Sequence, residues 1–203
     1  MPRALALNCS LKAEGDSSTD KMIALIAGEL ESHDVQLSET IRVAGHDVKP
    51  GVSSDEGAGD AWPAIRAKII AADILIFGTP IWLGQMSSVA KRVLERMDAF
   101  LRETDDQGRT PAYGKVALVG VVGNEDGAHH VTATVIQALN DVGFTVPAAA
   151  ATYWVGEAMG KIDFKDLPTV PDKIRKTAAI AASSAAHLAR LLKSEAYPGA
   201  GAS

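Results

Sequence analysis

Two segments combine residue types suited to a phosphorylated, flat, redox-active ligand. Asn8-Cys9-Ser10-Leu11-Lys12 runs into Ser17-Ser18-Thr19, which places hydroxyls and one lysine ahead of a helical pattern. A helix N-terminus offers unpaired N–H groups and partial positive charge. Ser10, Ser17, Ser18 and Thr19 can donate to a phosphate there, and Lys12 adds a positive charge. Ser17 and Asp20 also stand at capping-box spacing, so ordinary capping accounts for part of the pattern. In the second segment, Thr79-Pro80-Ile81-Trp82-Leu83-Gly84, Pro80 fixes the exit from a strand and Gly84 admits a backbone geometry that a side chain would block. Peptide groups exposed there, together with Trp82, match the polar edges and apolar end of an isoalloxazine ring. Trp82 equally suits a core position over the sheet end. Together the segments predict bound flavin mononucleotide (FMN).

A third segment, Gly123-Asn124-Glu125-Asp126-Gly127-Ala128-His129-His130, completes the predicted pocket. A reduced flavin gains negative charge, which the Gly127 amide or a histidine would stabilise, and which Glu125 and Asp126 would oppose if they turned inward. Adjacent residues diverge on a helix, so His129 and His130 do not make a metal pair, and no metal site is predicted. His129 is the candidate catalytic group. Its competing reading is a solvated residue at a helix start. The single cysteine, Cys9, reads as a small buried residue at a strand end.

Positioning these loops requires alternating strands and helices. Apolar runs predict strands at 3–8, 35–42, 73–78, 115–123 and 144–154, and 3.6-residue periodicity predicts helices at 19–32, 60–71, 88–101, 131–142 and 171–193. The polar segment 43–59 is expected to be exposed. Five strands with intervening helices predict an α/β flavodoxin-like fold: a doubly wound five-stranded parallel sheet, order 2-1-3-4-5, helices on both faces, with the ligand beside the carboxyl ends of the strands. Residues 1–195 form a single predicted domain, and 196–203 a disordered tail.

The chain has 203 residues, 47% of them hydrophobic, enough for one core. A net charge of −5 offers no basic stripe for a polynucleotide. Residues 4–7 are too short an apolar stretch for a signal peptide, and no uncharged run reaches membrane-spanning length. One cysteine excludes an internal disulfide. These observations predict a cytoplasmic protein that contacts neither nucleic acid nor membrane.

From Arg3 to about Trp154 the chain resembles the NADPH-dependent FMN reductase-like branch of the flavodoxin-like superfamily, which includes NAD(P)H:quinone oxidoreductases and flavin reductases. The family's phosphate-loop pattern, Gly-Ser-x-Arg followed by a Ser/Thr cluster, is matched by Cys9-Ser10-Leu11-Lys12 with Ser17-Ser18-Thr19. Its ring-binding pattern is matched by Pro80-Ile81-Trp82-Leu83-Gly84 and Lys91. Cysteine stands where the family has glycine, and Lys12 gives a point charge where arginine gives a two-pronged contact. Segment 43–59, where iron-sulfur relatives place cluster cysteines, contains none. The resemblance implies NADPH or NADH as electron donor, a quinone, flavin or similar small molecule as acceptor, and a homodimer or homotetramer. The small side chains of Ala178 to Ala186 are a candidate helix-packing surface for that assembly. A flavodoxin-type electron carrier is the alternative. A GDS-type esterase is set aside, because Ser17 in Gly15-Asp16-Ser17 lies well past the strand end and His187 has no aspartate three residues before it.

Overall fold

In the computed structural model, which describes residues 1–199, the apolar runs assemble into one sheet. Strands β1 (Arg3–Asn8), β2 (Gln36–Arg42), β3 (Ile74–Trp82), β5 (Val116–Gly123) and β6 (Ala151–Val155) are parallel in the order β2-β1-β3-β5-β6. The additional two-residue β4 (Gln85–Met86) pairs antiparallel with the end of β3. Without it, the five parallel strands stand in the predicted 2-1-3-4-5 order.

Helices α1 (Ser18–Glu31) and α5 (Asp172–Ser194) cover one face of the sheet, packing on Ala4, Ala6, Ile74, Ile76 and Leu118. Helices α2 (Trp62–Ala71), α3 (Ser88–Met97) and α4 (Ala128–Asp141) cover the other, on Leu5, Leu7, Leu75, Phe77 and Val119. Strands buried on both faces explain the unbroken apolar runs. A Cβ on Gly78 would lie 2.8 Å from Ile23 Cδ1, so glycine there lets α1 approach the sheet.

Four expectations need correction. First, β3 continues past Gly78 to Trp82. Its pairing with β1 ends at Gly78, so Pro80 loses no ladder partner on that side while it pairs with Val122 on the other. Leu83 (φ +52°) and Gly84 (φ +73°) then form a two-residue turn with both φ positive, the geometry that returns a chain into an antiparallel pair. Second, the last strand begins at Ala151. Of the preceding segment, Thr145 makes an isolated bridge to Val116 and the Ala150 carbonyl accepts from Val119 N at 2.9 Å, while Pro147 with Ala149 at φ +57° interrupts the run between them.

Third, segment 43–59 is not simply solvated. Arg96 of α3, fully buried, donates to the carbonyls of Lys49 (2.9 Å) and Ser53 (3.1 Å) and pairs with the fully buried Asp60 carboxylate at 2.7 Å. Its guanidinium carbon lies 5.7 Å from the Trp62 ring. Burial alone would raise the Asp60 carboxyl. The Arg96 hydrogen bond and backbone amides of Glu56, Trp62 and Lys49 outweigh it and hold the group well below the usual carboxylate range. Fourth, Ala178, Ala181, Ala182, Ala185 and Ala186 are fully buried under α1 and the sheet, so the alanine stripe packs within the chain and offers no surface to a second copy.

Of the expected tail at 196–203, residues 200–203 lie outside the described residues. Tyr197 packs edge-on against Tyr113, ring centroids 5.9 Å apart, with its hydroxyl 3.0 Å from Thr145 Oγ1. No helix among the described residues is long and apolar enough to cross a membrane.

Candidate functional site

A cleft of about 650 Å³ opens at the carboxyl ends of β1, β3, β5 and β6. Where β1 ends, the buried Asn8 side chain organises the first loop. Its Oδ1 accepts from Ser10 N at 2.8 Å, and its Nδ2 donates to Ser17 Oγ at 3.4 Å and to the Asp20 carboxylate. Ser17 caps α1 by accepting from Asp20 N at 3.4 Å. Asp20 is paired with Arg42, so its charge is compensated. Ser10, Lys12, Ser17, Ser18 and Thr19 all border the cleft, gathered at the N-terminal turn of α1. Of the two carboxylates in this loop, either of which would repel a phosphate if it turned inward, Asp16 is exposed yet borders the cleft, while Glu14 is exposed outside its lining. Cys9 is fully buried, and burial pushes its thiol far up, consistent with a structural rather than reactive residue.

At the other end Pro80, Ile81 and Trp82 border the cleft, and Trp82 is 53% exposed at its mouth, so it is not a core residue. Gly123, Asn124 and Glu125 also border it; Leu83, Gly84, Asp126 and Gly127 do not. The peptide groups of Leu83 and Gly84, expected to be free for a ligand, are taken: both amides donate to the Glu125 carboxylate, at 3.1 and 2.9 Å. That contact also turns the Glu125 charge onto the backbone. Gly127 (φ +126°) lies so close to the hairpin that a Cβ would stand 2.8 Å from Gly84 Cα, which fuses the second and third loops into one wall.

His129, expected to approach the flavin, lies outside the cleft lining. Its Nε2 is 2.8 Å from the Tyr153 hydroxyl, and His130 Nε2 is 3.0 Å from Gln85 Oε1. Because α4 starts at Ala128, successive side chains fan outward, and both histidines are exposed on its first turn.

The opposite wall went unread in the sequence. It comprises Trp154 at the end of β6 and Met159, Gly160, Asp163, Phe164 and Lys165 in the connection to α5. Met159 N donates to the Asn124 carbonyl at 3.0 Å, and Asn124 Nδ2 donates to Gly160 O (3.3 Å) and Asp163 Oδ1 (2.9 Å). Phe164 is buried against Trp154, ring centroids 5.5 Å apart. The available signal was an aromatic and a lysine in a polar stretch directly after the last strand, where a connection also emerges at the ligand-binding edge. The cleft thus joins a hydroxyl-rich helix N-terminus to a shelf of Trp82, Ile81 and Trp154, a donor set and volume that fit a phosphorylated planar ligand.

Comparison with known proteins agrees with this geometry. The sequence profile of the family described as NADPH-dependent FMN reductase matches residues 2–159. The 8-demethyl-8-aminoriboflavin-5'-phosphate synthase of Streptomyces davaonensis is 34% identical over 209 residues, covering 96% of this chain and 80% of that protein. A Mycobacterium bovis protein named divalent metal cation transporter MntH is 38% identical over 161 residues, 77% of this chain, and the chain spans 23% of that protein's length. The solved structure of RosB with the bound intermediate 8-demethyl-8-formylriboflavin-5'-phosphate superimposes with a TM-score of 0.86 at 31% identity, covering 98% of this chain and 82% of that one. An NADH:FMN oxidoreductase (EMOB), apo form, shares the fold at a TM-score of 0.64 and 19% identity, over 96% and 92% of the two chains. With a family match over most of its length and a cleft where that fold holds its ligand, the chain belongs to the NADPH-dependent FMN reductase family of flavodoxin-like oxidoreductases.

Proposed function

We propose that the protein is an FMN-dependent oxidoreductase that takes hydride from NADPH or NADH and passes the electrons to a small acceptor such as a quinone or flavin. The observation that carries this reading is the two-ended cleft: hydroxyls of Ser10, Ser17, Ser18 and Thr19 with Lys12 at the α1 N-terminus, and an apolar shelf with Trp82 at the mouth. Bound FMN supplies the redox centre. The chain's part is to hold the phosphate at α1, to support one side of the ring with Pro80, Ile81 and Trp82, and to leave that mouth open for a second reactant. The 93% exposed Leu83, which does not border the cleft, is the surface a second copy would cover in a homodimer or homotetramer, beside the mouth rather than over it. Sedimentation at the single-chain mass of 21.2 kDa would overturn that assembly.

The test is an absorbance spectrum of the purified protein titrated with FMN, followed by anaerobic NADPH or NADH. Flavin bands that appear on binding and bleach with either nucleotide support the reading. A bound flavin that neither nucleotide reduces leaves an electron carrier, and no binding removes the reading.

A second reading has a specific observation behind it: a relative at 34% identity is named a synthase of an aminoriboflavin phosphate, and RosB was solved with a riboflavin phosphate derivative. On that reading the phosphorylated flavin is substrate rather than cofactor. Mass spectrometry of the flavin after turnover separates them, since a cofactor leaves with its mass unchanged and a substrate does not.

A further inference from the structure

The family match stops at residue 159, yet the cleft continues to be built beyond it. Phe164–Asp166 forms a single 3-10 turn beside the first turn of α1. Lys165 N donates to Ser18 Oγ at 3.1 Å, and Lys21 Nζ donates to the carbonyls of Lys165 (3.2 Å) and Leu167 (2.7 Å). With Phe164 fully buried beneath it, the turn is fixed to the helix end. It therefore presents the Lys165 side chain to the same end of the cleft as Ser10, Ser17, Ser18 and Lys12.

The Lys165 ammonium rests among carboxylates, 2.8 Å from both Asp166 oxygens and 3.8 Å from Asp163, with Asp16 also in its field. These partners are partly exposed, so water screens the pairs and little holds the ammonium against a stronger anion. A phosphate at the α1 N-terminus is such an anion, with more charge and three acceptor oxygens. It would also need this lysine. Asp16, Asp163 and Asp166 cluster around that end, and Lys12 with Lys21, whose ammonium sits on the Lys165 and Leu167 carbonyls in the field of Asp166, leaves them one positive charge short.

We propose that Lys165 is a phosphate-binding residue, turning from Asp166 and Asp163 to the 5'-phosphate of a bound flavin so that the chain selects flavin mononucleotide over unphosphorylated riboflavin. The inference rests on the flavin reading above. It places a selectivity residue in the connection between β6 and α5, away from the loop after β1.

The test measures the affinities of FMN and riboflavin by quenching of flavin fluorescence for the wild type, Lys165→Met and Lys165→Arg. The expected result is a loss of roughly tenfold or more in FMN affinity for Lys165→Met, with riboflavin unaffected and FMN binding restored by Lys165→Arg. The difference between wild type and Lys165→Met should shrink as salt is raised. Unchanged FMN affinity overturns the proposal, as does an equal loss for both flavins, which would make the turn merely structural. A wild type that binds both flavins equally also overturns it while the flavin reading stands. A wild type that binds neither removes that reading itself.

Discussion

The Glu125 carboxylate spans the tip of the β3–β4 hairpin, one oxygen 3.1 Å from Leu83 N and the other 2.9 Å from Gly84 N. Two consecutive amides in the left-handed region form a small anion-binding hollow, and here the chain fills it with its own side chain. The hairpin holds Leu83, a residue with a Cβ, at φ +52°, a conformation that needs outside support.

Glu125→Gln keeps one acceptor oxygen and loses the charge on the other. The expected cost is about 1–2 kcal/mol, or roughly 2–8 °C in the melting midpoint for a chain of this size. Calorimetry checks it, and an unchanged midpoint would mean the hairpin stands without the latch.

Asp60→Asn leaves the Arg96 guanidinium buried without its counter-charge, a change that typically costs roughly 3–5 kcal/mol. The wild-type pair also sets a pH dependence. Because the folded carboxyl is held below its unfolded value, its contribution is complete above the unfolded pKa of about 4 and is lost progressively as pH falls below that. Denaturant titrations at successive pH values should show stability declining through this acid range in the wild type and a shallower slope in Asp60→Asn. Parallel slopes would count against the assignment.

Cys9 should be silent in the folded protein. A disulfide-exchange reagent at mildly alkaline pH is expected to titrate no thiol natively and one after guanidinium denaturation, since burial both shields the sulfur and suppresses the thiolate. Rapid native labelling would show that the end of β1 opens readily.

Gly78→Ala would set a methyl 2.8 Å from Ile23 Cδ1 and Thr19 Cγ2. Overpacking of this kind costs roughly 1–3 kcal/mol. Because Thr19 belongs to the cleft, both thermal stability and FMN affinity should fall. A loss of stability alone would show that α1 can shift without disturbing the cleft.

The parallel sheet was legible because burial on both faces leaves runs such as Ile74–Phe77 uniformly apolar, and the phosphate end because caps and hydroxyls act over a few residues. What escaped depends on distant partners. The reach of Arg96 into Lys49, Ser53 and Asp60 joins α3 to a segment that reads as solvated loop. The alanines of α5 have the same periodicity whether they pack on α1 or on a second molecule. The wall from Trp154 to Lys165 has no hydrophobic period at all, because it is held by polar contacts to Asn124 and Ser18.

The contact of Gly84 with Gly127 has a mechanical corollary. It makes the rim bearing Trp82 and Asn124 a stiff jamb, so any swelling of the entrance must be accommodated across from it. The span between Trp154 and Phe164 is pinned at both ends by those rings, tied near its start by Gly156 N to the Gly123 carbonyl at 2.9 Å, and fastened midway by Asn124 through its carbonyl and its amide. Passage of a bulky planar molecule would strain that fastening first, which makes Asn124 the hasp of the entrance.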